Sequence, residues 1–107
     1  MKHIAIVYAT FGDRALAEVS AAQMIDRRLA ACANIQSQCL SIYVWQGETE
    51  RSEEVPVLFK TSLARRAALM AALTEAHDYD LPAISSWDAV TSPEYADWVE
   101  AASRDTP

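Results

Sequence analysis

The segment His77-Asp78-Tyr79-Asp80 holds the densest set of side chains that could do chemistry. An imidazole beside carboxylates can bind a metal ion, because a nearby carboxylate often orients a ligating histidine, or it can accept a proton. A histidine at the end of a helix more often interacts with the helix dipole or bonds a carbonyl oxygen. A structural role is therefore the favoured interpretation of His77, which is also the main candidate metal ligand of this chain.

Two cysteines, Cys32 and Cys39, are the remaining candidates for a soft metal ion. Their spacing of seven residues does not fit a close-spaced zinc site. The thiolate of Cys32 could bind Cu(I), but we expect it near the C-terminal end of a helix, where the dipole opposes thiolate formation. Packing in the interior is the alternative for both cysteines. Both are expected to stay reduced, as in the cytoplasm.

Glutamates surround the expected turn between two strands. Clustered carboxylates attract hard cations weakly, whereas charged residues at a sheet edge also prevent unwanted strand pairing. We interpret the cluster as a solvated, edge-protecting tip; its members are Glu48, Glu50, Glu53 and Glu54.

Length and charge exclude several classes of protein. The 107 residues suffice for a single domain spanning 1–107. The formal net charge is −6, from 15 acidic and 9 basic residues without a basic run. Nucleic acids and anionic membranes require a basic surface, so neither is expected as a partner. The apolar run at residues 4–9 is too short for a signal sequence or a membrane span.

Hydrophobic periodicity indicates the elements that must position these side chains. It predicts strands at 4–9, 34–46, 55–59 and 83–90, and a polar turn at 47–52. Helices are predicted from Asp13 to about Cys32, from Ser62 to about His77, and from Ser92 onward. Pro56 cannot donate to a ladder, so strand pairing beside it should be absent on one side or bulged.

The resulting order β-α-β-β-α-β predicts an α+β, ferredoxin-like sheet with two helices on one face and a further C-terminal helix. The other face should then be polar in a monomer. Instead the hairpin carries aromatic residues on that face, Tyr43 and Trp45. Large exposed aromatic patches are rare on monomers, so we predict that Tyr43 and Trp45 lie in an interface between subunits. The alternative is that the C-terminal helix folds over them.

Several segments resemble the divalent-cation-tolerance family, CutA, in order along nearly the whole chain. The matching segments are Leu29-Ala30-Ala31-Cys32-Ala33-Asn34-Ile35, Ser41-Ile42-Tyr43-Val44-Trp45-Gln46-Gly47, Glu53-Glu54-Val55, Lys60-Thr61, His77, Tyr79, Pro82, Tyr95 and Trp98. The resemblance implies a ferredoxin-like fold, a homotrimer with sheets packed toward its centre, and a cytoplasmic protein of copper and divalent-cation tolerance. Similarity in architecture to the trimeric nitrogen-regulatory signal transducers also suggests a signalling role.

The same resemblance shows departures at the metal-binding positions. Some members carry a copper-binding cysteine where this chain has Ala9, and a second histidine where it has Ala76. The usual proline after the histidine is Asp78, and the usual glutamate after the loop proline is Ala83. Because only His77 is kept, any bound copper or other divalent cation is expected to be held weakly, and no cofactor is required.

A ligand-binding cleft between subunits is a further expectation, mainly because its positions match the family. Lys60 would hold an anion there with Tyr79 and Trp98, and Asp80 would line the same cleft. The alternative for Lys60 is a strand-end charge that reaches solvent.

Three functions follow from these features. The first is a trimeric protein that binds divalent cations and signals without catalysis, since no nucleophile, base and orienting group are visible together. The second is an enzyme that uses His77 with Asp80 or Tyr79 as acid–base groups. The third is a sensor of an anionic metabolite that binds through Lys60.

Overall fold

Five strands and three α-helices form the part of the chain that the computed structural model describes, residues 1–106. A short 3-10 turn at Leu63–Arg65 leads directly into the second helix. In chain order the elements are β1 Lys2–Phe11, α1 Arg14–Asp26, β2 Cys32–Ile35, β3 Cys39–Trp45, β4 Glu48–Thr61, α2 Arg66–Ala76, β5 Ile84–Thr91 and α3 Pro93–Ala102.

All paired strands are antiparallel, in the order β2-β4-β1-β5, and β3 pairs with the remaining half of β4. The first two helices each connect strands that are not neighbours in this sheet. This arrangement confirms the predicted α+β, ferredoxin-like fold.

The larger core lies between the sheet and helices α1 and α2. Val7, Val57 and Phe59 point from the sheet toward Met24 and Leu69 on the helices, and all five are fully buried. Burial of each such side chain contributes about 1.5–3 kcal/mol relative to exposure.

Helix α3 covers part of the opposite sheet face. Its residues Ala96 and Val99 pack on Ile4 and Ile6 of β1. Ser92 caps its N-terminus by accepting from the backbone N–H of Tyr95, as predicted. The helix stops short of the hairpin, so Tyr43 and Trp45 remain exposed. The alternative that the C-terminal helix folds over Tyr43 and Trp45 is therefore wrong, because α3 packs on the part of the sheet around Ile4 and Ile6.

Helix α1 ends earlier than predicted, at Asp26 instead of near Cys32. Arg28 adopts a positive φ of 59°, which turns the chain back toward the sheet. The side chain of Arg28 donates to the carbonyl oxygens of Ala101, at 3.0 Å, and Arg104, at 2.8 Å. Arg28 thereby joins the end of α1 to the end of α3.

The strand predicted over 34–46 is divided into β2 and β3. Ile35 pairs with Val57 and Cys39 with Glu54, so three residues on one side face two on the other. Pro56 lies at this irregularity, and its carbonyl oxygen accepts from the backbone N–H of Gln36 at 2.9 Å. On the β1 side the register continues through Pro56. The interruption on one side agrees with the expectation for a proline without an N–H.

The hairpin turn is much shorter than the predicted 47–52 segment. Trp45 pairs with Glu48, and the two residues between them, Gln46 and Gly47, have φ values of 51° and 80°. Positive φ at both positions is typical of a type I′ turn, which matches the twist of the flanking strands. Residues 48–52 therefore belong to β4, and their side chains alternate between its two faces.

Replacing Leu69 with alanine should lower the free energy of unfolding by about 2–5 kcal/mol, because the fully buried side chain leaves a cavity. Leu63→Ala is the control: this leucine is 46% exposed in the turn before the same helix, and its loss should cost much less. Urea unfolding at one fixed protein concentration measures both variants. Equal losses would contradict the assigned core.

Candidate functional site

A cleft of about 720 Å³ opens on the sheet face that α3 leaves uncovered. One wall is the β3–β4 hairpin and the other is the loop between α2 and β5. It is lined by Tyr8, Thr10, Ser41, Tyr43, Val44, Trp45, Glu54, Asp78, Tyr79, Asp80, Leu81 and Ala83. The structure thus brings together Tyr79, Asp80, Tyr43 and Trp45, which the sequence singled out for two different roles.

Glu54 lies at the base of this cleft and is only 9% exposed. Its Oε2 accepts a hydrogen bond of 3.0 Å from the Tyr79 hydroxyl. The assignment of Glu54 to a solvated tip was therefore wrong. The neighbouring Glu53 is exposed and accepts from Gln38 at 3.0 Å. The difference arises because successive residues of β4 point to opposite faces.

The phenol of Tyr79 is strongly perturbed by this environment. Burial first, and then the hydrogen bond to Glu54, raise the pKa of Tyr79 to about 12. Burial, together with the charges of Cys39 and Glu54, also raises the pKa of Tyr8. Both shifts favour the neutral phenol, since a phenolate would be poorly solvated beside an existing carboxylate.

His77 joins the loop to the sheet. Its side chain is 0% exposed; Nε2 lies 2.7 Å from the Thr10 carbonyl oxygen, and Nδ1 accepts from the backbone N–H of Tyr79 at 3.1 Å. These contacts assign the proton to Nε2. The ring also lies between Phe11 and Tyr79, with centroids at 4.9 and 4.5 Å. The structural alternative, a histidine that bonds a carbonyl oxygen, describes this geometry.

Metal ligation by His77 would require one of these hydrogen bonds to break. Within residues 1–106, no three His, Cys, Asp or Glu side chains are grouped closely enough to hold a metal ion. Cys32 begins β2 and does not lie at the end of a helix, which corrects the predicted position; its Sγ is 3.7 Å from Asn34 Oδ1. The donors of one chain therefore do not fit the usual three or four ligands of a copper or zinc site.

Lys60 is separated from the cleft within the chain. Its Nζ lies 5.8 Å from the centre of the Tyr95 ring, and Tyr95 stacks on Trp98 with centroids 5.7 Å apart. Lys60 is six residues from Glu54 along β4, which corresponds to about 20 Å in an extended strand. The predicted grouping of Lys60 and Trp98 with Tyr79 and Asp80 therefore does not occur in a single chain.

Sequence reasoning missed Tyr8, Thr10, Ser41 and Glu54 as cleft residues. Alternation along β1 contained part of the signal, because Tyr8 and Thr10 share the face opposite α1 and α2. The missing information was the register, in which Tyr8 pairs with Leu58 and Cys39 pairs with Glu54.

These features define a class of protein: a ferredoxin-like α+β domain with an open aromatic sheet face and a projecting hairpin. Residues 5–102 match the sequence model of the family described as CutA1 divalent ion tolerance protein. The chain belongs to the CutA divalent-cation-tolerance family.

Individual relatives agree with this assignment. The divalent-cation tolerance protein CutA of Thermococcus kodakarensis is 33% identical over 95 residues, covering 88% of this chain and 90% of that protein. A solved CutA1 from Ehrlichia chaffeensis has a TM-score of 0.89 at 29% identity, covering 96% and 97% of the two chains. The periplasmic divalent cation tolerance protein CutA from Archaeoglobus fulgidus has a TM-score of 0.89 at 26% identity, covering 96% and 100%.

No helix within residues 1–106 combines the length and apolar character that crossing a bilayer requires.

Replacing Tyr79 with phenylalanine should reduce the sensitivity of the fold to alkali. The pKa of Tyr79 is raised from 10.0 to about 12, so the folded chain keeps a proton that the unfolded chain loses in this range. The free energy of unfolding should therefore fall as the pH rises from 10.0 to about 12. The free energy of unfolding of Tyr79→Phe should fall less steeply with pH. Tyr43→Phe, which removes the hydroxyl of an exposed tyrosine, is the control. Urea unfolding between these pH values measures the slopes; parallel curves for wild type and Tyr79→Phe would contradict the assignment.

Proposed function

We propose that this chain acts as a cytoplasmic homotrimer that contributes to copper and divalent-cation tolerance by weak metal binding and signalling, without catalysis. The β3–β4 hairpin is the observation that carries this proposal. Its residues Leu40, Ile42 and Val44 are exposed on one face, up to 73% for Val44, and Tyr43 and Trp45 are exposed on the other. A hairpin with apolar residues on both faces needs further burial, because two strands alone are marginally stable.

Association through this hairpin would satisfy a second requirement. Within residues 1–106, β3 pairs only with β4, so its outer edge has unpaired backbone groups. Neighbouring subunits could cover both the edge and the aromatic face. Trimerisation would also allow Lys60 and Trp98 of one chain to approach the Tyr79 loop of another.

Metal binding is proposed to be weak and to involve His77. Asp78 Oδ1 lies 3.4 Å from His77 Nδ1, so one carboxylate and the imidazole are already adjacent. Further donors would have to come from another subunit or from solvent, since one chain does not supply three grouped ligands within residues 1–106. The net charge of −6 favours the approach of cations.

Catalysis is less well supported by the geometry. Both ring nitrogens of His77 contact backbone groups, Thr10 and Tyr79, and the raised pKa of Tyr79 makes its phenol a poor base near neutral pH. The candidate acid–base enzyme therefore lacks an available proton acceptor at His77.

An anion sensor remains the second candidate. The stack of the half-buried Tyr95 on the exposed Trp98, beside the Lys60 ammonium, supports it. The proposed cytoplasmic location is supported by the two unpaired cysteines.

Introducing glutamate at Tyr43 or Trp45 should disrupt the trimer, because burying an unpaired charge in an interface costs several kcal/mol. Val19→Glu, an equivalent change at an exposed position of α1, should leave assembly intact. Sedimentation velocity at micromolar concentration distinguishes trimer from monomer. A monomeric wild type would refute the trimer, and trimers in both hairpin variants would locate the interface elsewhere.

Copper should bind the wild type weakly, and binding should weaken further in acid because protons compete with the metal ion for the imidazole nitrogen. Calorimetric titration of wild type and His77→Ala at two pH values measures this. The other histidine gives the control His3→Ala, and circular dichroism checks that each variant folds. Tight, pH-independent binding that survives His77→Ala would show that the metal site lies elsewhere, with the thiols as the next candidates.

A further inference from the structure

Helix α3 is attached to the sheet by few apolar side chains. Within Pro93–Ala102, Ala96 and Val99 are the buried residues, and both pack on β1. An element with few buried apolar contacts can open locally without unfolding of the rest of the chain. The polar contacts at the ends of α3 therefore decide how firmly this helix is held.

Arg28 occupies a backbone position at which glycine is the usual residue. It follows the end of α1 and has a φ of 59°. Its backbone N–H donates to the Ile25 carbonyl oxygen at 3.0 Å, and the N–H of Leu29 donates to that of Met24 at 2.9 Å. These two bonds form a Schellman motif, whose left-handed residue is commonly glycine because a side chain is unfavourable there. An arginine at this position needs compensating contacts of its side chain.

The compensating contacts of Arg28 are on α3. Its Nε donates to the Arg104 carbonyl oxygen at 2.8 Å, and its Nη2 donates to that of Ala101 at 3.0 Å. The carbonyl oxygens of the last helical turn lack partners further along the helix, and Ala101 belongs to that turn. Hydrogen bonds from a charged donor are stronger than those between neutral groups. The guanidinium of Arg28 therefore fixes the C-terminal end of α3.

Arg65 in turn fixes the backbone of Arg28. It lies in the short turn before α2, and its side chain is only 20% exposed. The Arg28 carbonyl oxygen accepts from Arg65 Nε at 3.3 Å and from Arg65 Nη2 at 3.1 Å. The remaining Nη1 lies 3.7 Å from the exposed Asp105 carboxylate, a contact that contributes little. Two guanidinium groups in series thus connect the start of α2, the end of α1 and the end of α3.

The other polar contacts that attach α3 within residues 1–106 are weaker. Ser103 Oγ accepts from the backbone N–H of Ser62 at 3.4 Å, which is long for a hydrogen bond. The ion pair between Lys2 and Asp97 is exposed, so its contribution is small. The two hydrogen bonds that Arg28 donates are therefore the strongest polar attachment of this helix in the described part of the chain.

We propose that Arg28 and Arg65 form a latch that keeps α3 closed on the sheet, and that α3 opens as a unit when the Arg28 side chain releases it. Helix α3 carries the stacked rings of Tyr95 and Trp98, and Lys60 Nζ lies 5.8 Å from the centre of the Tyr95 ring. The latch therefore controls whether these rings stay beside Lys60. This device goes beyond the proposed function, because it belongs to one chain and holds whether an anion or a neighbouring subunit lies beside Lys60.

Hydrogen exchange of the backbone amides of the full chain measures the opening of each helix separately. Arg28→Gly removes the guanidinium but suits the left-handed backbone. The amides of α3 should exchange about tenfold or more faster in this variant, because two charged hydrogen bonds are lost. The amides of α1 and α2 should not exchange faster. Arg27→Gly, the same change at the neighbouring exposed arginine, is the matched control and should leave α3 unaffected.

Arg65→Gln tests whether the two arginines act in series. It should accelerate exchange in α3 when Arg28 is present, because the backbone of Arg28 is then less firmly fixed. In the Arg28→Gly background the same substitution should have little further effect on α3, since the side chain that transmits the contact is gone. A double-mutant cycle of the exchange rates measures this coupling.

Arg28→Lys covers the case in which Arg28→Gly does not fold. Lysine keeps the charge but lacks the planar fork that reaches two carbonyl oxygens, so it should accelerate exchange in α3 by a smaller factor. Unchanged or slower exchange of α3 in Arg28→Gly would overturn the latch, and slower exchange would show that backbone strain is the larger effect. Equal acceleration of all three helices, or additive effects of the two arginines, would also overturn it.

Discussion

Strand β4 runs without a break from Glu48 to Thr61 and serves as the common partner of β1, β2 and β3. Its C-terminal half belongs to the body of the sheet, where alternate residues enter the core beneath α1 and α2. Its N-terminal half projects with β3 as the hairpin. The hairpin wall of the cleft depends on this continuity, because one strand fixes both the buried core and the orientation of the exposed aromatic face.

The irregularity beside Pro56 allows β4 to have two partners on one edge. β2 ends at Ile35 and β3 begins at Cys39, with one extra residue on their side of the ladder. A bulge increases local twist and changes the direction of the strand that contains it. Pro56 thus lies where β4 changes partner from β2 to β3, that is, where the projecting hairpin begins. Glu54 is the first residue of β4 that pairs with β3 beyond this point.

Hydrogen bonds of His77 and Tyr79 connect the loop beside the cleft to the sheet. His77 connects Thr10 of β1 to the loop through both ring nitrogens, and that loop places Tyr79 against Glu54. Fixing the histidine in this role stabilises the loop but removes the most obvious metal ligand from solvent. The same contacts leave the Glu54 carboxylate at the base of the aromatic cleft.

The sequence by itself determined the order of the elements, the helix starts at Ser62 and Ser92 and the interruption at Pro56, because these depend on local periodicity and backbone chemistry. It also identified Tyr43, Trp45, Tyr79 and Asp80, which the fold brings to one cleft. Only the tertiary structure decided that Glu54 is buried while Glu53 is exposed, that His77 bonds Thr10 across the fold, and that Lys60 lies beside Tyr95 instead of Tyr79. The physical reason is register: a shift of one residue exchanges the two faces of a strand, and contacts between residues far apart in sequence depend on pairings that no local pattern encodes.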